Sequence, residues 1–172
     1  MQKSVLDLDV RKKIFQTVEA FPGSHFREIQ RKTNLSTGSL QHHLNFLVRH
    51  GVLSEVKENN KVRYFPKFFS SDDKVLLGLL RQRSIRNILL FLLIKNKANH
   101  KAIAQFVKLS PSTISWHIKK LEEKGIIERN QNGKKTYYGF VIAKEKLVHL
   151  LIMHRESFID KLVDNVCDMW LE

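Results

Sequence analysis

The sequence is poor in what several protein classes need. It holds a single cysteine, Cys167, so it can build neither a disulfide framework nor a cysteine-based zinc site, which suits a reducing cytosol. Its longest apolar run, Ile88 to Ile94, is far short of the roughly 18 residues that a membrane span requires. The N-terminal MQKSVLDLDVRKK sets acids among its few apolar residues and lacks the continuous apolar core of a signal peptide. No nucleophile motif, carboxylate pair or glycine-rich phosphate loop stands out, so catalysis is not expected. These absences lead us to expect a soluble cytoplasmic protein with no membrane partner.

Acidic residues are also scarce. Seventeen Asp and Glu face thirty Lys and Arg, giving a net charge of +13 and a pI near 10.0. Such an excess favours a polyanionic partner, because each cation set on a phosphate releases a condensed counterion. The charge is unevenly spread: residues 1–74 carry net +5, residues 75–140 net +10 and residues 141–172 net −2. The C-terminal segment is therefore the part least suited to touching nucleic acid.

A 42% hydrophobic content is enough for a core, and an internal repeat divides that core in two. Shifting the chain by 74 residues lays Leu35-Ser36 on Leu109-Ser110. With no gap, Ile14 then meets Ile88, Ile29 meets Ile103, His43 meets His117, Leu47 meets Leu121, Gly51 meets Gly125 and Tyr64 meets Tyr138. The matches keep to core spacings, so the chain reads as two copies of one unit, 10–68 and 84–140.

Each copy reads as helix, helix, helix, hairpin. In copy one, Ile14, Phe15, Val18 and Phe21 recur at helical spacing until Pro22-Gly23 stops them. Ser24 is expected to cap a short helix over His25 to Lys32, and Ser36 a third helix with the buried stripe Leu40, Leu44 and Leu47, ended by Gly51. Val52 to Val56 and Val62 to Phe65 form a hairpin through the polar turn KENNK. Copy two repeats the plan with Asn99 or Ala98 before its second helix, Ser110 capping its third, Pro111 at the first helical position and Asn132-Gly133 as a two-residue hairpin turn. A short helix, tight turn, capped helix and basic hairpin follow the winged helix-turn-helix order.

The stretch LSPSTISWHIKKLEEKGIIERNQNGKKTYY resembles the recognition helix and wing of winged-helix repressors of the MarR and ArsR groups. Copy one, LSTGSLQHHLNFLVRHGVLSEVKENNKVRYF, is a looser match. Two such units followed by a helical tail resemble the tandem winged-helix regulators common in archaea. The resemblance implies an α+β fold, mostly helical with small β-hairpin wings. It also implies a cytoplasmic, nucleoid-associated protein whose third helices enter the major groove of double-stranded DNA while its wings reach the backbone. Carried over by position, the groove-facing residues of copy two are Ser112, Thr113, Ser115, Trp116, Lys119 and Lys120. Those of copy one are Gly38, Ser39, Gln41, His42, Asn45 and Phe46, where Phe46 departs from the pattern by replacing a lysine. The outward positions left by the stripe Ile114, Ile118 and Leu121 are the same ones, so helical geometry and resemblance agree.

Gln41 and Asn45 suit adenine edges, Lys119 a guanine acceptor or a phosphate, and exposed Trp116 a thymine methyl, a sugar or a neighbouring helix. Lys57, Lys61 and Arg63 in wing one, with Arg129, Lys134 and Lys135 in wing two, are placed as phosphate contacts, although lysines also guard hairpin edges. His43 and His117 read as packed helix-face histidines able to donate to a phosphate, in preference to a metal or pH role; His25, His42, His50, His100, His149 and His154 have no Glu or Cys partner at ligand spacing, so neither metal nor cofactor is expected.

Between the copies, residues 70–83 read as a helical linker that begins with a capping cluster, Ser70 to Asp73, leaving domains at 1–69 and 84–140. From Ala143 onward, Leu147, Leu150, Leu151, His154, Phe158, Leu162, Val166, Met169 and Trp170 recur at three- and four-residue steps. That periodicity predicts one long amphipathic helix over 141–172, with Leu147, Leu151, His154, Phe158, Leu162, Val166 and Met169 as the seam of a homodimer. The function expected is a sequence-specific transcription regulator. Two alternatives stand beside it: a winged-helix module that binds proteins of the transcription machinery, and an architectural DNA-binding protein without sequence preference.

Overall fold

The computed structural model describes residues 8–58, 60–158 and 161–171. The turn residue Asn59, the first seven residues of the first expected domain and residues 159, 160 and 172 of the C-terminal segment lie outside the described residues. The chain divides between Gly78 and Leu79 into two compact units.

In the first unit the order is α1 (Asp9–Ala20), β1 (Ser24–His25), α2 (Phe26–Thr33), α3 (Thr37–Arg49), β2 (Leu53–Glu58) and β3 (Lys61–Pro66). Ser36 begins α3 because its hydroxyl accepts the Ser39 N–H at 3.3 Å, satisfying a donor that the first helical turn leaves without a partner. From there the four-residue spacing of Leu40 and Leu44, with Leu47 after them, holds one face against Ile14, Val18, Ile29 and Tyr64, all sealed from solvent. Each such side chain contributes about 1.5–3 kcal/mol of burial, so the stripe fixes the roll of α3 and hence which residues point outward. Gly51, at φ 67°, turns the chain into an antiparallel hairpin in which Glu55 faces Tyr64 and Val56 faces Arg63.

The second unit repeats this order at the 74-residue offset. Its elements are α5 (Arg83–Lys95), β4 (Lys97–Ala98), α6 (His100–Val107), α7 (Pro111–Glu123), β5 (Ile127–Asn132) and β6 (Lys135–Phe140). The local bonds repeat as well. Ser110 accepts the Thr113 N–H at 3.3 Å, and the left-handed turn residue is Lys108 at φ 57° where copy one has Asn34 at φ 56°. Before α5 runs α4 (Ser71–Leu80), opened by a reciprocal pair in which the Ser70 hydroxyl accepts the Asp73 N–H at 3.1 Å and donates to its carboxylate at 2.6 Å. The first bond is an N-cap; the second ties the two side chains together.

Three details differ from the sequence expectation. Ser24 does not cap α2: the residue before that helix is His25, and the Ser24 hydroxyl donates to the Phe21 carbonyl at 2.7 Å. Ser24 lies instead in a two-residue strand paired with Tyr64, a third strand that each unit adds, giving sheet orders β1-β3-β2 and β4-β6-β5. Strands this short leave no alternation to read in the sequence. In wing two Asn132 pairs with Lys135, so the turn is Gly133-Lys134, with Gly133 at φ 59° in its first central place, as a type II′ turn requires.

The third difference is the tail. The single long helix is instead α8 (Lys144–Met153), a turn of 3-10 helix at Arg155–Ser157, and α9 (Lys161–Leu171). No proline or glycine breaks it. Folding back lets α9 pack on α5 and α8, sealing Phe158, Val163, Val166 and Cys167, which a straight helix would carry past the end of the domain. Burial outweighs helix continuity, and Arg155 holds the bend through Asp164 at 2.7 Å and Asp168 at 3.0 Å. No helix among the described residues is long and apolar enough to cross a membrane.

Candidate nucleic-acid interface

The outward faces of α3 and α7 are where the sequence places its groove residues, and the two faces differ. On α7 the stripe Ile114, Ile118 and Leu121 is buried, which leaves Ser112, Ser115, Trp116 and Lys119 exposed and Thr113 and Lys120 half-buried. Trp116 is 57% exposed, with His117 edge-on at 5.0 Å and the Lys120 ammonium 5.8 Å from its ring. Lys119 reaches Glu123 only at 3.9 Å, and both side chains are largely exposed, so the pair holds it weakly. Ser115 donates to the Pro111 carbonyl at 3.0 Å and meets His100 Nε2, also at 3.0 Å. His100 joins this face unforeseen: it opens α6, and a helix-turn-helix brings the start of its second helix beside the first turns of its third. Gln82, which meets Lys120 at 3.5 Å, joins it in the same way from the start of α5.

On α3 the corresponding groups are turned toward each other. The Gln41 amide donates to Asn45 Oδ1 at 2.9 Å. Phe46, where copy two has Lys120, is half-buried between the Arg11 guanidinium, 3.5 Å from its ring centre, and the His50 ring at 3.9 Å. The aromatic that broke the family pattern is thus a packing residue. His42 stays exposed and Ser39 half-buried. Beside α3 the first wing closes an open cleft of about 440 Å³, lined in part by Arg27, Gln41, Asn45, Lys57 and Lys61.

The wings differ as well. In wing one Lys57 and Lys61 are exposed, and Lys57 leans toward Glu55 at 3.6 Å. Arg63 departs from its expected role: half-buried, it donates to the Gly23 carbonyl at 2.9 Å and so ties the wing to the turn after α1. In wing two Lys134 and Lys135 are exposed, while Arg129 leans on Glu122 at 3.8 Å and on the Tyr138 ring at 5.8 Å. Burial and Glu55 together raise the Tyr64 phenol above its ordinary range.

His43 and His117 occupy one position of the repeat and share one environment. Each keeps Nδ1 sealed from solvent with no hydrogen-bond partner among the described residues. Burial pushes both rings below the ordinary imidazole range, helped by His42 and Arg11 at His43 and by Lys120 at His117. Among the described residues no group of His, Cys, Asp or Glu could hold a metal ion.

Of the residues expected to form a dimer seam, Leu147, Leu151, Phe158 and Val166 are buried in this chain's own core. His154 and Leu162 are half-buried. Met169 is exposed, together with Met153, Trp170 and Leu171.

Comparison with known proteins bears on both units. A family model described as an N-terminal HTH domain matches residues 8–77. A second, described as winged helix-turn-helix DNA-binding, matches residues 81–128. The chain is also 29% identical over 137 residues, 80% of its length, to an uncharacterized HTH-type transcriptional regulator of the archaeon Methanocaldococcus jannaschii. It spans about a third (34%) of that relative's length. None of these matches is to an enzyme. The chain carries two helix-turn-helix domains, each with a hairpin wing, the second matching a DNA-binding family model, and is a tandem winged helix-turn-helix protein.

Proposed function

We propose that this chain is a sequence-specific regulator of transcription that binds double-stranded DNA as a homodimer, with copy two as its principal reader. The observation that carries this is the outer face of α7, where a tryptophan, a lysine and two serines stand exposed on a helix whose roll is fixed by a buried stripe. An exposed tryptophan beside cations suits a groove that offers thymine methyls, guanine acceptors and phosphates. Lys134 and Lys135 at the tip of wing two add phosphate contacts that position the helix without reading sequence. The net +10 over residues 75–140 gives the same half the stronger field.

For copy one, the closed Gln41–Asn45 pair and the covered Phe46 favour a supporting role, on the DNA backbone or on a protein of the transcription machinery. Dimerisation rests on the far end of α9, where Met169, Trp170 and Leu171 are exposed together. Selection of bound sites from a random duplex pool, followed by salt titration on selected and random duplexes, tests the regulator function. A regulator recovers a site that it prefers by about 10³-fold or more. An architectural protein would bind both duplexes alike, and a protein-interaction module would bind neither tightly.

A further inference from the structure

The repeat allows one flank of α7 to be compared, residue by residue, with its counterpart on α3. On this flank α7 passes the start of α5: the Lys120 ammonium lies 3.5 Å from Gln82 Oε1, and Gln82 is the residue that precedes α5. Arg83, the next residue, is exposed in the first turn of α5, and no side chain caps that helix. His117 borders the flank. It is 92% buried (8% exposed) with Nδ1 sealed and unpartnered, so Nε2 is the ring nitrogen open to an outside acceptor.

A buried N–H without an acceptor is costlier than a bare lone pair, so the sealed Nδ1 stays unprotonated. That fixes the neutral ring in the tautomer whose Nε2–H points outward. In copy one the cations at these two positions are replaced. Asp9 stands where copy two has Arg83, Phe46 where it has Lys120, and Arg11 lies on the Phe46 ring at 3.5 Å.

From these juxtapositions we propose that Arg83, Lys120 and the Nε2–H of His117 seat one backbone phosphate of the DNA, and that copy one, despite keeping His43, has no such seat. The seat rests on the duplex-binding function proposed above and adds Arg83 and His117, beside Lys120, to the residues expected to meet the DNA. Lys120 on its own helix bears on His117, while His100 on α6 is held by Ser115 and Arg129 on β5 is engaged by Glu122. The start of α5 adds Arg83. The neutral ring already carries the Nε2–H that the seat uses, so binding takes up no proton at His117.

The test uses the full chain, the selected duplex and a random duplex, with folding checked by circular dichroism. His117→Leu keeps the site apolar and removes the donor; it should weaken binding to both duplexes about tenfold at pH 7. His117→Gln, which carries an N–H near the same place, should retain most of the affinity. Arg83→Ala, an exposed change, should lower the salt slope by about one. His43→Leu should leave affinity and slope unchanged. Wild-type affinity and slope in both His117→Leu and Arg83→Ala, on a duplex whose binding Lys119→Ala weakens, would overturn the seat while leaving the reader intact. An equal loss in His43→Leu would overturn its restriction to copy two. Failure of the wild-type chain to bind either duplex would instead reject the function on which the seat depends.

Discussion

The two units share a backbone plan and differ in what they do with their outer faces. Their buried positions coincide to the residue: Leu40 with Ile114, Leu44 with Ile118, Leu47 with Leu121, Tyr64 with Tyr138. Their outer faces have diverged, with Gln41 bonded to Asn45 in one and Trp116 standing exposed in the other. Burial constrains volume and polarity tightly and solvent constrains them little, so a duplicated fold keeps its core while its surfaces are free to take separate tasks.

Core truncation tests the shared half of this comparison and should give the largest effects. Leu44→Ala and Ile118→Ala each remove methyl groups from a fully or almost fully buried site, and each should cost about 2–5 kcal/mol in chemical denaturation. If only one of the pair is destabilised, the cores are not equivalent. The caps come next. Ser36→Ala and Ser110→Ala should each cost about 1 kcal/mol, alike within a few tenths. Unequal costs would show that the matching 3.3 Å bonds carry different loads.

The outer faces can be partly exchanged. Phe46→Lys gives copy one the lysine that copy two has at Lys120, and should raise the salt slope of DNA binding by about one. A slope that does not move would mean that copy one stays away from the backbone even when charged.

The smallest effect is in the pH dependence of stability. His43 and His117 are held below their unfolded imidazole value by burial, so the unfolded chain binds protons that the native fold refuses. Their contribution to stability is complete above the ordinary imidazole range and is lost as pH falls through it toward the depressed native values. Denaturation midpoints should decline between about pH 7 and 5, and the His43→Leu, His117→Leu double variant should decline less. An equal decline would place the loss elsewhere in the chain.

The sequence made the repeat, the capped third helices and the hairpins legible, because Ser36, Ser110, Gly51 and Gly125 act locally and the apolar stripes repeat at helical spacing. It hid what depends on distant partners. Nothing beside Ser24 in the chain reveals that a two-residue strand will seek Tyr64, and nothing around His154 shows that the tail bends, since the bend follows from burying Phe158 and Val166 within the same unit. The outward positions of α3 and α7 were readable as positions, but not their states. That Gln41 turns to Asn45, that Arg63 turns to the Gly23 carbonyl and that Phe46 lies under Arg11 are consequences of packing across the fold.

The most direct test of the central claim, that copy two reads the duplex, is a comparison of two double variants on the selected site at one salt concentration. Trp116→Ala with Lys119→Ala should weaken specific binding by about thirtyfold or more, whereas Gln41→Ala with Asn45→Ala should change it by less than about threefold. Larger loss in the copy-one pair, or equal loss in both, would contradict it.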